Sequence, residues 1–159
     1  MKSLFTASSV LLLMATPAGS QVQERLIFVS GSCNPKSGVV IDDGESSPFG
    51  CDTAVISRTQ RGSVLIQFTD KRGDDGRILG FAGTIEGKQG FGADTTQVLA
   101  VERFYLAGGA NPIQATRGTC FMNWTGLERT GGHLTSVVCA ARGLASGYDI
   151  KAIAVLEAN

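Results

Sequence analysis

Arg117 to Arg142 reads RGTCFMNWTGLERTGGHLTSVVCAAR. Two alternating runs, Gln114–Trp124 and Leu134–Arg142, flank a polar, glycine-bearing centre at Leu127–Gly132, which is the pattern of two antiparallel strands joined by a turn. Folding the stretch about that centre sets Cys120 opposite Val138 or Cys139, inside the reach a disulfide demands. The same stretch holds the chain's only tryptophan and only histidine, Trp124 and His133. Its reading therefore governs both the fold class and the meaning of the cysteines.

Outward from it, the rest of the chain repeats the pattern. Short apolar or alternating runs at Arg25–Ser30, Val39–Ile41, Thr53–Arg58, Ser63–Thr69, Arg77–Ile85, Val98–Leu106 and Tyr148–Leu156 are separated by clusters of Gly, Asp, Asn, Ser and Pro. They are too short and too β-branched for a helical bundle. Folding TAVISRTQRGSVLIQF about Thr59–Gly62 sets Val55 opposite Ile66, Ser57 opposite Val64 and Ile56 opposite Leu65. The polar turn KRGDDGR then joins Ser63–Thr69 to Arg77–Ile85 in a second hairpin, and a meander results. TTQVLAVERFYLAGG has a threonine cap and a Gly108–Gly109 stop, so it can be drawn as a helix. Its Val, Phe and Tyr content and its strand neighbours favour a strand over Thr96–Leu106. EGKQGFGADTT, without an apolar pattern, reads as a loop between two halves of one domain. The expected fold is all-β: an antiparallel sandwich or small barrel of about eight to nine short strands, with at most one short helix and two disulfides.

What a cysteine does depends on the compartment. Met1-Lys2-Ser3 gives one positive charge, Val10–Ala15 is the centre of an apolar stretch, and Ala18-Gly19-Ser20 offers small residues for cleavage. Residues 1–20 are thus expected to be a secretory signal, and residues 21–159 a single all-β domain in the periplasm or outside the cell. Polar Thr6, Ser8, Ser9 and Thr16-Pro17 leave too few consecutive apolar residues for a membrane anchor. With 14 basic and 14 acidic residues and no run of Lys or Arg, the chain lacks the clustered cations that hold nucleic acid or an anionic membrane. No later segment is apolar for long enough to span a bilayer. The sequence names no partner, and another protein is the class this composition leaves open.

In an exported chain an even cysteine count reads as staples. Cys33 and Cys51 enclose a Gly-, Ser- and Pro-rich segment that a bridge across its ends restrains. The separations, 18 residues for Cys33–Cys51 and 19 for Cys120–Cys139, are of the size for which closing the unfolded chain contributes roughly 3 kcal/mol. The other two connectivities remain open on sequence alone. A redox couple needs Cys-x-x-Cys and a zinc site needs close ligand pairs; neither occurs. No cofactor or metal is implied.

Four residues stand out as surface candidates: His133, Trp124, Arg72 and Asp74. His133 follows Gly131-Gly132 with Glu128, Thr135 and Ser136 near in sequence, yet no GxSxG elbow supports a triad. Arg72-Gly73-Asp74 spells an adhesion tripeptide at a turn tip, a match short enough to arise by chance. IDDGES and DKRGDDG cluster acids with glycine, but Arg72 stands where a second calcium ligand is needed. Asn123-Trp124-Thr125 is a glycosylation sequon. GKQGFG lacks the Lys-Ser/Thr ending and the helix of a phosphate loop. Glu86, Glu102 and Glu128 have no sequence relation that pairs them across a cleft.

The order Cys51, VLIQFTDK at Val64–Lys71, LGFAG at Leu79–Gly83, VERFYL at Val101–Leu106, Cys120 and Cys139 resembles a set of small exported bacterial all-β proteins of unassigned function. These motifs are core strands and turns, so the resemblance implies a fold and no activity. In size, export and disulfide use the chain is also similar to small periplasmic β-barrel inhibitors of secreted metalloproteases. That similarity implies a role for an extended N-terminal segment, here Gln21-Val22-Gln23-Glu24. Three functions are weighed: a non-catalytic binding or structural module, which a missing catalytic constellation favours; a protease inhibitor; and an enzyme whose site only the fold assembles. An exposed apolar or aromatic patch marks the first.

Overall fold

The computed structural model describes residues 25–59, 62–69, 77–91, 94–106, 111–126 and 132–159. These residues form ten strands and no helix. They are β1 (Arg25–Cys33), β2 (Gly38–Ile41), β3 (Ser47–Pro48), β4 (Thr53–Arg58), β5 (Ser63–Thr69), β6 (Ile78–Phe91), β7 (Asp94–Tyr105), β8 (Ile113–Thr125), β9 (His133–Ala145) and β10 (Tyr148–Ala158). From β4 to β10 each strand pairs antiparallel with the next. β1 joins β4 on one side and β10 on the other, so the sheet closes into an up-and-down barrel. β2 continues the line of β1 along β10 after a short excursion at Asn34–Ser37, and β3 pairs with β2.

Alternation explains the closure. Ala54 and Ile56 of β4, Val64, Ile66 and Phe68 of β5, and Leu79 and Phe81 of β6 are buried at every second position, so one face of each strand fills the interior. Phe68 and Phe81 meet edge to face, their centroids 5.9 Å apart. Among the described residues five register shifts adjust the alternation, two between β6 and β7, one between β7 and β8 and two between β8 and β9. At Thr135–Ser136 two residues of β9 oppose the step from Asn123 to Trp124, which turns both Leu134 and Val137 inward.

The expected strand over Thr96–Leu106 is present as β7. Two other expectations are corrected. The β4–β5 hairpin is one residue out of the expected register: Val55 pairs with Gln67, Ile56 with Ile66, Ser57 with Leu65 and Arg58 with Val64. Gly62 takes the left-handed conformation, φ 87°, and Thr59 N–H bonds back to Ser63 O. The connection is therefore a three-residue loop, and Ile56 and Ile66 both face inward. EGKQGFGADTT is not a loop. Its first half belongs to β6 and its end to β7, paired from Gly87 with Val98 to Phe91 with Asp94. Lys88, Gln89 and Gly90 are exposed, so these residues of β6 have no buried face of their own to impose an apolar pattern.

Both disulfides are formed as Cys33–Cys51 and Cys120–Cys139, and no described cysteine is free. Cys120 and Cys139 are direct cross-strand partners inside the barrel. The segment between Cys33 and Cys51 has anchors of its own: β2 is hydrogen-bonded to β10, and Phe49 is buried. Two disulfides point to an oxidising location outside the cytoplasm. No described helix is long and apolar enough to cross a membrane.

Candidate binding surfaces

Across β7, β8, β9 and β10 the pairing aligns outward side chains in rows. Val98, Phe121, Val138 and Val155 are mutual neighbours in one row, and Ala100, Thr119, Ala140 and Ile153 in the next. Phe121 is 42% exposed and Ile153 43%. On one side the apolar rows end at a polar ladder: Thr96 Oγ1 donates to Asn123 Oδ1 at 2.7 Å, and Asn123 Nδ2 donates to Ser136 Oγ at 2.8 Å. On the other they end at a row of cations, Arg117, Arg142 and Lys151, directly paired across three strands.

Like charges opposite one another on a sheet repel, and two carboxylates offset this row. Asp149 accepts from Arg142 Nε at 2.7 Å and lies 3.9 Å from Lys151 Nζ. Lys151 also donates to Asp43. That hydrogen bond first, and the ammonium charge second, hold the Asp43 carboxyl below its usual value, while the Asp149 hydrogen bond raises Arg142. Arg117 has no ion pair among the described residues. A shallow groove of about 390 Å³ runs between Phe121, Val138, Ala140 and Ile153, with Arg117, Arg142 and Lys151 at its border.

The second surface lies at one end of the barrel. Trp124 and His133, two of the four surface candidates, line one cleft of about 360 Å³ with Ile27, Phe28, Val29 and Leu134. His133 is exposed there, but Trp124 is only 6% exposed because β8 alternation sends it inward with Cys120 and Met122. The indole is therefore a wall of the interior and not a surface group. The Arg58 guanidinium sits over its ring, 5.6 Å from the centroid, and donates to Gln97 Oε1. The indole Nε1 is buried with no hydrogen-bond partner among the described residues.

Sequence reasoning missed Arg58 and Gln97. The available signal was parity: Arg58 stands two residues after inward Ile56, and Gln97 two before inward Leu99. Arg72, Asp74 and the tail Gln21–Glu24 lie outside the described residues. Asn123 of the sequon sits within a paired strand, its amide engaged on both sides. Among the described residues no three His, Cys, Asp or Glu side chains group so as to hold a metal ion. No protein-family model, curated protein or solved structure matches the chain.

Proposed function

We propose that the chain is an exported, non-catalytic binding module of the periplasm or the extracellular space, which recognises another protein through the outer face of β7–β10. The carrying observation is the pair of apolar rows that expose Phe121 and Ile153 between a cation row and a polar ladder. A contiguous apolar patch with a polar rim is what protein-recognition sites present. Phe121 is the anchor on this reading, and Arg117 gives the partner's acidic groups a charge to approach. The ladder from Thr96 to Ser136 fixes the rim, since each of its side chains already has a bond.

The test is capture of partners from the native host's periplasm or medium, by wild type and by Phe121→Asp and Arg117→Glu variants. A partner that serves this reading is lost with Phe121→Asp. It binds Arg117→Glu more weakly, and added salt narrows the difference between Arg117→Glu and wild type. Partners held equally by all three proteins sink the reading. Fractionation of the native host with mass spectrometry tests the export part separately: protein confined to the cytoplasm with residues 1–20 still attached would sink it.

A further inference from the structure

Among the described residues the barrel wall is unpaired beside the end of β10. The final β10 partners are Glu157 with Ser136 of β9 and Ala158 with Gly31 of β1, after which Asn159 N–H donates to Ser30 O at 3.2 Å. Beyond that point β1 continues from Val29 back to Arg25, paired with β4 alone. Opposite it, His133 and Leu134 of β9 are paired with β8 alone. The two strand edges flank the cleft of about 360 Å³ that Trp124 walls from inside.

The free edge of β1 can be assigned atom by atom. Gly31 N–H is spent on Asp52 O in the β4 direction, whereas Ser30 O accepts from Asn159 in the β10 direction. Main-chain groups of one residue point to one side and alternate along an antiparallel strand. Leu26 and Phe28 therefore turn their N–H and C=O groups toward the cleft, as Ser30 does. Their side chains are also the most exposed of the large apolar ones on β1, at 55% and 69%. An unpaired edge with apolar side chains is a template for another strand.

We infer that this seam binds an extended segment of a partner protein by strand addition, along the line of β10 and antiparallel to both β1 and β9. Over the described residues the segment pairs along about five positions, Arg25–Val29, on one side. Its inward side chains are apolar, meeting Ile27, Leu134 and the Trp124 indole. Its outward side chains lie beside Phe28 and His133. A folded second copy does not supply it, since a segment inserted between two edges needs both of its own free and each described strand already has a paired edge. The outer face of β7–β10 takes no part, so the two proposals stand or fall separately.

The probe is a pool of capped pentapeptides with Val, Ile or Phe at the first, third and fifth positions, which face inward opposite Val29, Ile27 and Arg25, and Thr elsewhere. Trp124 is the sole tryptophan, so its fluorescence reports occupancy directly. Saturable change is expected, with slowed amide exchange at Leu26 and Phe28. Phe28→Pro, which removes a cleft-facing N–H and leaves the β4 ladder intact, weakens binding about tenfold, and Phe28→Ala by less. N-methylation of alternate peptide amides on the wild-type protein gives the same loss and needs no variant to fold. Absence of saturable binding across the pool, equal binding of methylated peptides, or dimerisation in place of binding overturns the proposal.

Discussion

Cys120 and Cys139 are direct partners across β8 and β9, with Cα atoms 4.1 Å apart and both side chains fully buried. Their bond ties the hairpin from inside the barrel. Replacing both by alanine removes the staple and opens a void among Leu99, Met122 and Val137. A loss of about 3–5 kcal/mol is expected in urea unfolding, the upper part of the range for a native disulfide. Cys33–Cys51 should survive in that variant. Non-reducing peptide mapping checks this, and a bond between Cys33 and either member of the other pair would contradict the independence of the two staples.

That pairing was legible because a hairpin's centre and its period fix which residues face each other. The same arithmetic missed the β4–β5 register by one residue, since the left-handed Gly62 decides the loop length and the neighbouring runs do not reveal it. β6 beyond Glu86 was illegible for a different reason. With Lys88, Gln89 and Gly90 exposed, hydrogen bonding to β7 holds the strand and leaves no trace in hydrophobic pattern. The surfaces were hidden more deeply. The row of Val98, Phe121, Val138 and Val155 comes from four strands, and the seam between β1 and β9 joins residues more than a hundred positions apart.

The β9–β10 hairpin turns on Ser146 and Gly147, both with positive φ at 53° and 87°. Ala145 and Tyr148 pair directly across them, so this is the two-residue turn whose twist matches the strands. A Cβ on Gly147 meets nothing within 4 Å. Gly147→Ala therefore isolates backbone strain from crowding, and a loss of about 1–2 kcal/mol is expected. Gly147→Asn should lose less, because asparagine tolerates the left-handed region. Equal stability of the alanine variant and wild type in thermal unfolding would count against this turn geometry.

Asp43 titrates below the usual carboxylate value because Lys151 donates to it and lies beside it. A carboxyl whose folded value is depressed adds stability above its unfolded value. That contribution disappears as pH falls through the folded value. Stability from this pair is therefore flat around neutrality and lost only in acid. Asp43 is exposed, so salt weakens the effect. Lys151→Met should move the Asp43 titration upward toward the ordinary carboxylate range, as followed by carboxyl carbon chemical shifts. An unchanged midpoint would show that Lys151 is not the cause.

Arg58 is the cation that reaches into the barrel end, over Trp124 and onto Gln97. Arg58→Ala removes the charge from the indole face and deprives Gln97, 1% exposed, of this partner. Each loss is of order 1 kcal/mol, and together they should cost about 2 kcal/mol. Arg58→Lys keeps a cation but not the planar fork that can stack and donate at once, so it should recover only part. The readout needs no label, since emission comes from Trp124 alone. Water entering beside the ring in Arg58→Ala should shift that emission to longer wavelength before any denaturant is added, and Arg58→Met, which refills the volume without the charge, should reverse the shift while leaving part of the stability loss. If Arg58→Met restores both, the guanidinium acts at this barrel end through its bulk alone and the contact with the indole face is energetically empty.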